Sequence, residues 1–243
     1  MRPFVLLATR GEDIPADEEY DLFLRYGGLG DHELLRVRLE AGPMPTIDLH
    51  AISGIFVGGG PFNHSDPPEK KSAVQVRVEA EFRMLLDEVV ARDFPFLGAC
   101  YGVGTIGIHQ GGVVDATYRE PVSVIEVDLT AAGASDPLLR GVPPRFAAFV
   151  GHKEAVTVLP ASATLLATGD GCPVQMFRVG ANVYATQFHP ELDVDGIASR
   201  IHAYADHGYF ASDELEPTLD AVRRLPVMHT GAILQNFVER YAR

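Results

Sequence analysis

One glycine-flanked cysteine constrains this chain more than any other feature. Cys100 lies in Phe96-Leu97-Gly98-Ala99-Cys100-Tyr101-Gly102, at the end of an apolar run. The pattern Gly-x-Cys-x-Gly is the cysteine form of a nucleophile elbow, in which a buried strand ends, the backbone turns sharply and a helix begins at the nucleophile. Glycines at 98 and 102 let the strand and helix backbones pass close together while the turn holds strained dihedrals. A thiol at a helix start faces unpaired N–H groups and the positive end of the dipole, which favours thiolate. The N–H of Tyr101 is then placed to hold a developing oxyanion. Taken alone, the segment fits a buried cysteine at a strand end equally well.

A second segment, Thr186-Gln187-Phe188-His189-Pro190-Glu191, changes that balance. Pro190 disfavours helical geometry at His189, so the residue is expected to be extended. Residues two apart in an extended chain point the same way, so His189 and Glu191 can face one site. A thiol nucleophile needs such a pair, with His189 taking the Cys100 proton and Glu191 holding the imidazole tautomer.

The rest of the chain supplies a frame. Apolar runs read as strands at Phe4 to Ala8, Leu34 to Val37, Ile52 to Val57 and Pro95 to Ala99. Between the last two, Val78, Phe82, Leu85, Leu86 and Val89 recur at helical spacing within Ser72 to Arg92. Alternating strands and helices predict an α/β, doubly wound, mostly parallel sheet with helices on both faces. Sites in such sheets lie outside the carboxyl ends of the strands. Short β-rich runs with Gly/Pro turns from Pro121 to Val183 predict a small antiparallel extension. The last forty residues read as helices, with Ile197, Ile201 and Tyr204 on one stripe and Ile233, Leu234, Phe237 and Val238 on another. The acidic run Asp13 to Glu19 reads as a solvated loop and helix start. At 243 residues the chain is expected to form a single domain over 1–243, with a core to about 195 and C-terminal helices from about 196.

Four segments together resemble the class I glutamine amidotransferases, and in particular their GMP-synthase-like branch. Gly98-Ala99-Cys100-Tyr101-Gly102 and Gln187-Phe188-His189-Pro190-Glu191 are similar to the two signature segments of that family. Gly54-Ile55-Phe56-Val57-Gly58-Gly59-Gly60-Pro61 resembles its strand and Gly-Gly-Pro oxyanion loop. Gly151-His152-Lys153-Glu154-Ala155-Val156 resembles its His-Gly-Asp-x-Val stretch. The segments run in family order across about residues 50 to 190, and Arg200-Ile201 to Tyr209-Phe210 also looks like that branch.

The resemblance implies a flavodoxin-like fold and glutamine hydrolysis through a γ-glutamyl thioester on Cys100. His189 and Glu191 would complete the triad, and Tyr101 and Gly60, or alternatively Gly59, would supply the oxyanion N–H groups. His152 and Glu154 would lie at the substrate, the latter meeting an α-amino group. Two departures bear on substrate identity. The family's elbow helix carries glutamine where this chain has Gly104, and His152-Lys153-Glu154 replaces His-Gly-Asp.

Other chemistries find little support. A net charge of −13 argues against nucleic acid or an anionic membrane as partner. Phe4 to Ala8 is too short for a signal sequence or a membrane span, and two cysteines suggest no disulfide framework, so a cytoplasmic enzyme is expected. Cys172 lacks an elbow and reads as a packed thiol. His50, His64, His109, His202, His207 and His229 have no metal-ligand spacing. A mixed metal site from His152, Glu154, His189 and Glu191 is the lesser reading, because the elbow needs no metal. No phosphate loop or dinucleotide fingerprint is present, nor the Ser-Gly-Gly-x-Asp-Ser loop of an ATP pyrophosphatase, so no cofactor is expected. The implied substrate is glutamine or another γ-glutamyl amide. The implied ammonia acceptor is a separate synthetase chain, and a stand-alone amide hydrolase is the alternative.

Overall fold

The computed structural model describes residues 1–204, 215–224 and 226–243. His207 and the stretch ending at Tyr209-Phe210 fall partly or wholly outside them. The strands are β1 (Phe4–Ala8), β2 (Leu34–Arg38), β3 (Gly54–Val57), β4 (Phe96–Ala99), β5 (Val113–Asp115), β6 (Glu120–Leu129), β7 (Arg145–His152), β8 (Ala155–Val158), β9 (Ala163–Gly169), β10 (Met176–Val179) and β11 (Val183–Thr186). The α-helices are α1 (Asp13–Gly27), α2 (Ala73–Ala91), α3 (Tyr101–His109), α4 (Ala131–Ala134), α5 (Val194–Ala203), α6 (Leu215–Arg224) and α7 (Gly231–Tyr241).

Nine strands form one sheet in the order β2-β1-β3-β4-β11-β10-β9-β6-β7, and β5 pairs with β8 in a small separate sheet. The pairings from β2 through β11 are parallel. Those from β11 through β7 are antiparallel. The antiparallel strands thus continue the main sheet, beyond the small β5–β8 ladder.

Both faces of β1, β3 and β4 are buried, which is why these strands are continuously apolar, whereas the edge strand β2 carries Arg36 and Arg38 and an exposed Leu35. Alternate residues of β1 serve opposite layers. Phe4 and Leu6 pack with Phe23 of α1 and with Ile233 and Phe237 of α7. Val5 and Leu7 pack with Val78 and Phe82 of α2 and with Val103 and Ile106 of α3. The apolar stripe expected over Ser72 to Arg92 is α2 itself. Ser72 caps it, its side chain accepting a hydrogen bond from the Gln75 N–H, and Val78, Phe82, Leu86 and Val89 are fully buried. Truncating a side chain such as Phe82 to alanine is expected to cost about 3–5 kcal/mol. Ile197 and Ile201 of α5 pack on Phe149 and Leu192, bringing that helix to the end of the sheet where β3, β4 and β11 finish.

Candidate active site

Strand β4 ends at Ala99 and α3 starts at Tyr101, leaving Cys100 alone in the turn at φ 52° and ψ −88°. Such a conformation stores on the order of 1–3 kcal/mol in a non-glycine residue and persists only where its surroundings enforce it. Here the Cys100 N–H donates to Thr186 O at 2.7 Å, and the Cys100 carbonyl accepts from the Val103 N–H at 3.0 Å. Glycine is required at 98 because a Cβ there would stand 2.8 Å from Gly102 Cα.

The same register delivers the histidine. β11 lies directly beside β4, with Thr186 opposite Ala99, so both chains leave the sheet at one level. Three residues later, His189 is anchored by its N–H donating to Phe149 O at 3.0 Å. Its Nδ1 stands 2.7 Å from Glu191 Oε1, and both side chains are buried. Burial by itself would push the imidazole pKa down, but the Glu191 carboxylate and the neighbouring Cys100 lift it to about 9. Burial would likewise raise Glu191, and His189 and Arg200 overcome this to hold it well below the usual carboxylate range. The structure therefore brings the three residues singled out in the sequence together, His189 bonded to Glu191 and facing a cavity that Cys100 also lines.

The acidic run is not solvated throughout. Glu19, expected at the surface, is fully buried on the inner face of α1 beside this set. Its Oε1 accepts from Arg10 Nε at 2.9 Å, from Arg200 Nη2 at 3.2 Å and from the Gly59 N–H at 3.2 Å. Arg200 also donates from Nη2 to Glu191 Oε1 at 3.0 Å, and its Nη1 is 3.1 Å from His189 Nδ1. Arg10 donates to Tyr204 Oη at 3.1 Å. Neither Glu19 nor Arg10 lies in a local motif, and Arg200 only opens the C-terminal stretch that resembles the family. The sequence trace of Glu19 is a polar residue on an otherwise apolar helix face, between Ala16 and Leu22–Phe23.

The glycine loop after β3 is packed by side chains on every side. A Cβ at Gly58 would collide with the Glu19 carboxylate and one at Gly60 with Thr9 Oγ1. At Gly59 it would stand 2.6 Å from Arg10 Nη2 and 2.6 Å from His189 Cε1. Close packing by the protein, then, already demands glycine there. Of the candidate oxyanion donors, the Gly59 N–H is engaged by Glu19. That of Tyr101 opens α3 and so lacks an intrahelical acceptor. Gly60 and Cys100 both line two cavities, one bounded by Arg10, His189, Arg200 and the apolar Val150, Ile197 and Ile201, the other by Phe62, Asn63, Glu154 and Gln187.

The residues expected at the substrate are occupied within the protein. Glu154 accepts the His64 N–H on Oε1 at 2.9 Å and the Ser65 N–H on Oε2 at 2.7 Å, so both oxygens hold the 61–66 loop. His152 is held by Glu120 Oε2 at 2.9 Å from Nε2 and by Glu154 O at 2.9 Å from Nδ1. Gly104 faces the ring of His64, a residue that the sequence left unassigned. That ring stacks on Tyr101 with centroids 4.8 Å apart and lies 2.9 Å from Thr105 Oγ1. Cys172 is buried as expected. Among the described residues the one set of three close metal-type donors is Glu120, His152 and Cys172, not the His152, Glu154, His189 and Glu191 set. Gln175 Nε2 also donates to Glu120, at 2.8 Å, so the carboxylate sits in an ordinary hydrogen-bonded network.

Fold and site together define an α/β enzyme whose elbow presents a thiol to a histidine–carboxylate pair. The chain belongs to the class-I glutamine amidotransferase family, whose profile matches residues 31–196, and it is a cysteine-dependent amidohydrolase. It is 32% identical over 106 residues to the glutamine-hydrolyzing GMP synthase of Elusimicrobium minutum, an alignment covering 43% of this chain and 20% of that protein. With the glutamine-hydrolyzing GMP synthase subunit of Thermococcus kodakarensis it shares 26% identity over 167 residues, 68% of this chain and 75% of the relative. The chain thus spans a small part of full-length GMP synthases and most of the length of a relative that is a separate polypeptide. The structure of a glutamine amidotransferase from Thermotoga maritima superposes with a TM-score of 0.78 at 20% identity, covering 99% of this chain and 98% of that one, which speaks to the fold. No helix among the described residues is long and apolar enough to cross a membrane.

Proposed function

We propose that this enzyme hydrolyses the side-chain amide of glutamine, with Cys100 as nucleophile, His189 as acid and base, and Glu191 as the residue that orients His189. The Cys100 thiolate attacks the carboxamide carbon, and the oxyanion that forms is held by the N–H groups of Gly60 and Tyr101. The C–N bond then breaks as His189 gives its Nε2 proton to the departing ammonia, leaving a γ-glutamyl thioester. A water that surrenders a proton to His189 attacks the thioester carbon, the C–S bond breaks, and glutamate leaves. The single observation that carries this reading is buried His189, bonded to Glu191 at 2.7 Å and lining one cavity with Cys100 at the strained elbow.

We propose further that the ammonia serves a separate synthetase chain in the cytoplasm. Support comes from the archaeal relatives that are themselves separate GMP synthase subunits, most of whose length the chain matches. A second reading, a stand-alone hydrolase of another γ-glutamyl amide, is favoured by one observation. Each oxygen of Glu154 already accepts one N–H of the 61–66 loop and His64 stands over Gly104, so a free α-ammonium would lack the family's amide and share Glu154 with that loop. Release of glutamate from glutamine and from a panel of γ-glutamyl amides tests both readings. Preference for glutamine, lost in Cys100→Ala, supports the first. Hydrolysis of other amides with glutamine untouched supports the second, and no Cys100-dependent hydrolysis at all overturns both.

A further inference from the structure

We propose that Glu19 is a positioning residue for the Cys100 site: from α1 it fixes the glycine loop through Gly59 and, through Arg200, the His189–Glu191 pair. The inference rests on the cysteine–histidine reading above and adds to it a residue outside every motif.

The geometry is that of a relay with one centre. A single oxygen, Glu19 Oε1, accepts from the loop N–H of Gly59, from Arg10 and from Arg200. Arg200 in turn touches both members of the histidine–carboxylate pair. The loop that carries Gly60 and the pair that serves Cys100 come from different strands, β3 and β11, with β4 between them. Glu19 is the group that binds both sides. Glycine at 58 is part of the same device, because any side chain there would displace the carboxylate.

Charge gives Glu19 a second task. The groups facing His189 are Glu191 beside it, Cys100 at the elbow, Arg200 from α5 and, across Gly59, Arg10 from the loop after β1; Glu19 from α1 stands behind the two guanidiniums, bonded to both. Two carboxylates and two guanidiniums balance around the Cys100–His189 pair. Both guanidiniums are buried, so their charge is poorly screened. Without the Glu19 charge, Arg10 and Arg200 confront the imidazolium with one uncompensated positive charge, which disfavours its proton and favours the thiolate. Both ionisations of the coupled pair then move to lower pH.

The test is the pH profile of Cys100 alkylation by iodoacetamide, read alongside kcat and KM on whichever amide the wild type hydrolyses. In Glu19→Gln, which keeps the shape and removes the charge, both limbs of the profile are expected to shift downward by at least half a pH unit. The loss, roughly tenfold or more as for other partners that orient a catalytic group, falls on kcat rather than KM. Glu19→Gln combined with Arg10→Gln restores neutrality and is expected to return the limbs towards wild type even with a lower melting temperature. Glu19→Asp, which keeps the charge, rescues the limbs in part. If Glu19→Gln fails to fold, the double variant and Glu19→Asp carry the test: limbs unlike those of the wild type in both overturn the proposal. A Glu19→Gln protein that melts earlier with unmoved limbs also overturns it and leaves Glu19 a merely structural residue. If Cys100→Ala retains hydrolysis, the reading of the site itself fails, an outcome distinct from either.

Discussion

Gly104 and His64 share one space: a Cβ placed on Gly104 would stand 2.9 Å from His64 Cδ2 and 3.0 Å from Glu154 Oε1. Where the family's elbow helix carries a glutamine, this chain has a histidine ring arriving from the 61–66 loop. The missing amide is thus replaced by another residue rather than by an open gap. Gly104→Gln is accordingly expected to destabilise by overpacking, about 1–3 kcal/mol, rather than to improve glutamine binding. Adding His64→Ala should recover much of that loss by emptying the space. Melting temperatures of the two single variants and the double variant check this, and additive losses would show that the side chains do not compete.

Cys100→Ala is expected to abolish hydrolysis with the fold intact. Cys172→Ala should keep its activity and lose at most about 1 kcal/mol of stability, since a fully buried thiol is replaced by a smaller group. A diazo-ketone glutamine analogue should label Cys100, and mass mapping of the adduct decides. Burial pushes the Cys172 thiol up to about 11, which leaves it protonated and unreactive at neutral pH.

His189→Ala is expected to lower kcat by roughly 10²–10⁴, the range for a positioned acid–base group. Glu191→Gln should lower it less, because the carboxylate orients the ring without transferring the reacting proton. It should nevertheless cost stability, since Arg200 would lose a charged partner in a buried setting. Steady-state kinetics paired with chemical denaturation separate the two effects.

Two histidines predict opposite arms of the stability profile. Burial holds His64 down to about 4, against an ordinary value of 6.5. As pH falls from about 6.5 towards 4, the unfolded chain takes up a proton that the folded one refuses, and stability present above 6.5 is lost. His189 is raised to about 9, so its contribution is complete below 6.5 and is lost as pH climbs towards 9. Denaturation midpoints across pH 4 to 9 should therefore peak near 6.5. His64→Gln should flatten the acid arm and His189→Gln the alkaline arm.

The site's outline was legible in the chain because its central parts are local. A strained turn between strand and helix leaves Gly98, Cys100 and Gly102 at fixed spacing, His189-Pro190-Glu191 is a three-residue pattern, and α2 declares itself by its apolar period. The alternation of apolar strands and amphipathic helices likewise determined a doubly wound sheet before any contact was known. Where charged residues end up is another matter. Glu19 sits in a run of acidic residues whose composition says solvent, yet the packing of α1 against the sheet end closes over it and supplies Arg10, Arg200 and the Gly59 N–H. Arg200 lies 181 residues from Glu19 along the chain, and His64 lies 41 from Thr105. The short-range patterns of the chain thus settled which residues could form the elbow and the histidine pair. Only the tertiary structure decided which charges surround them, because a buried ion pair exists by desolvation and long-range closure, and neither leaves a periodicity or a spacing to read.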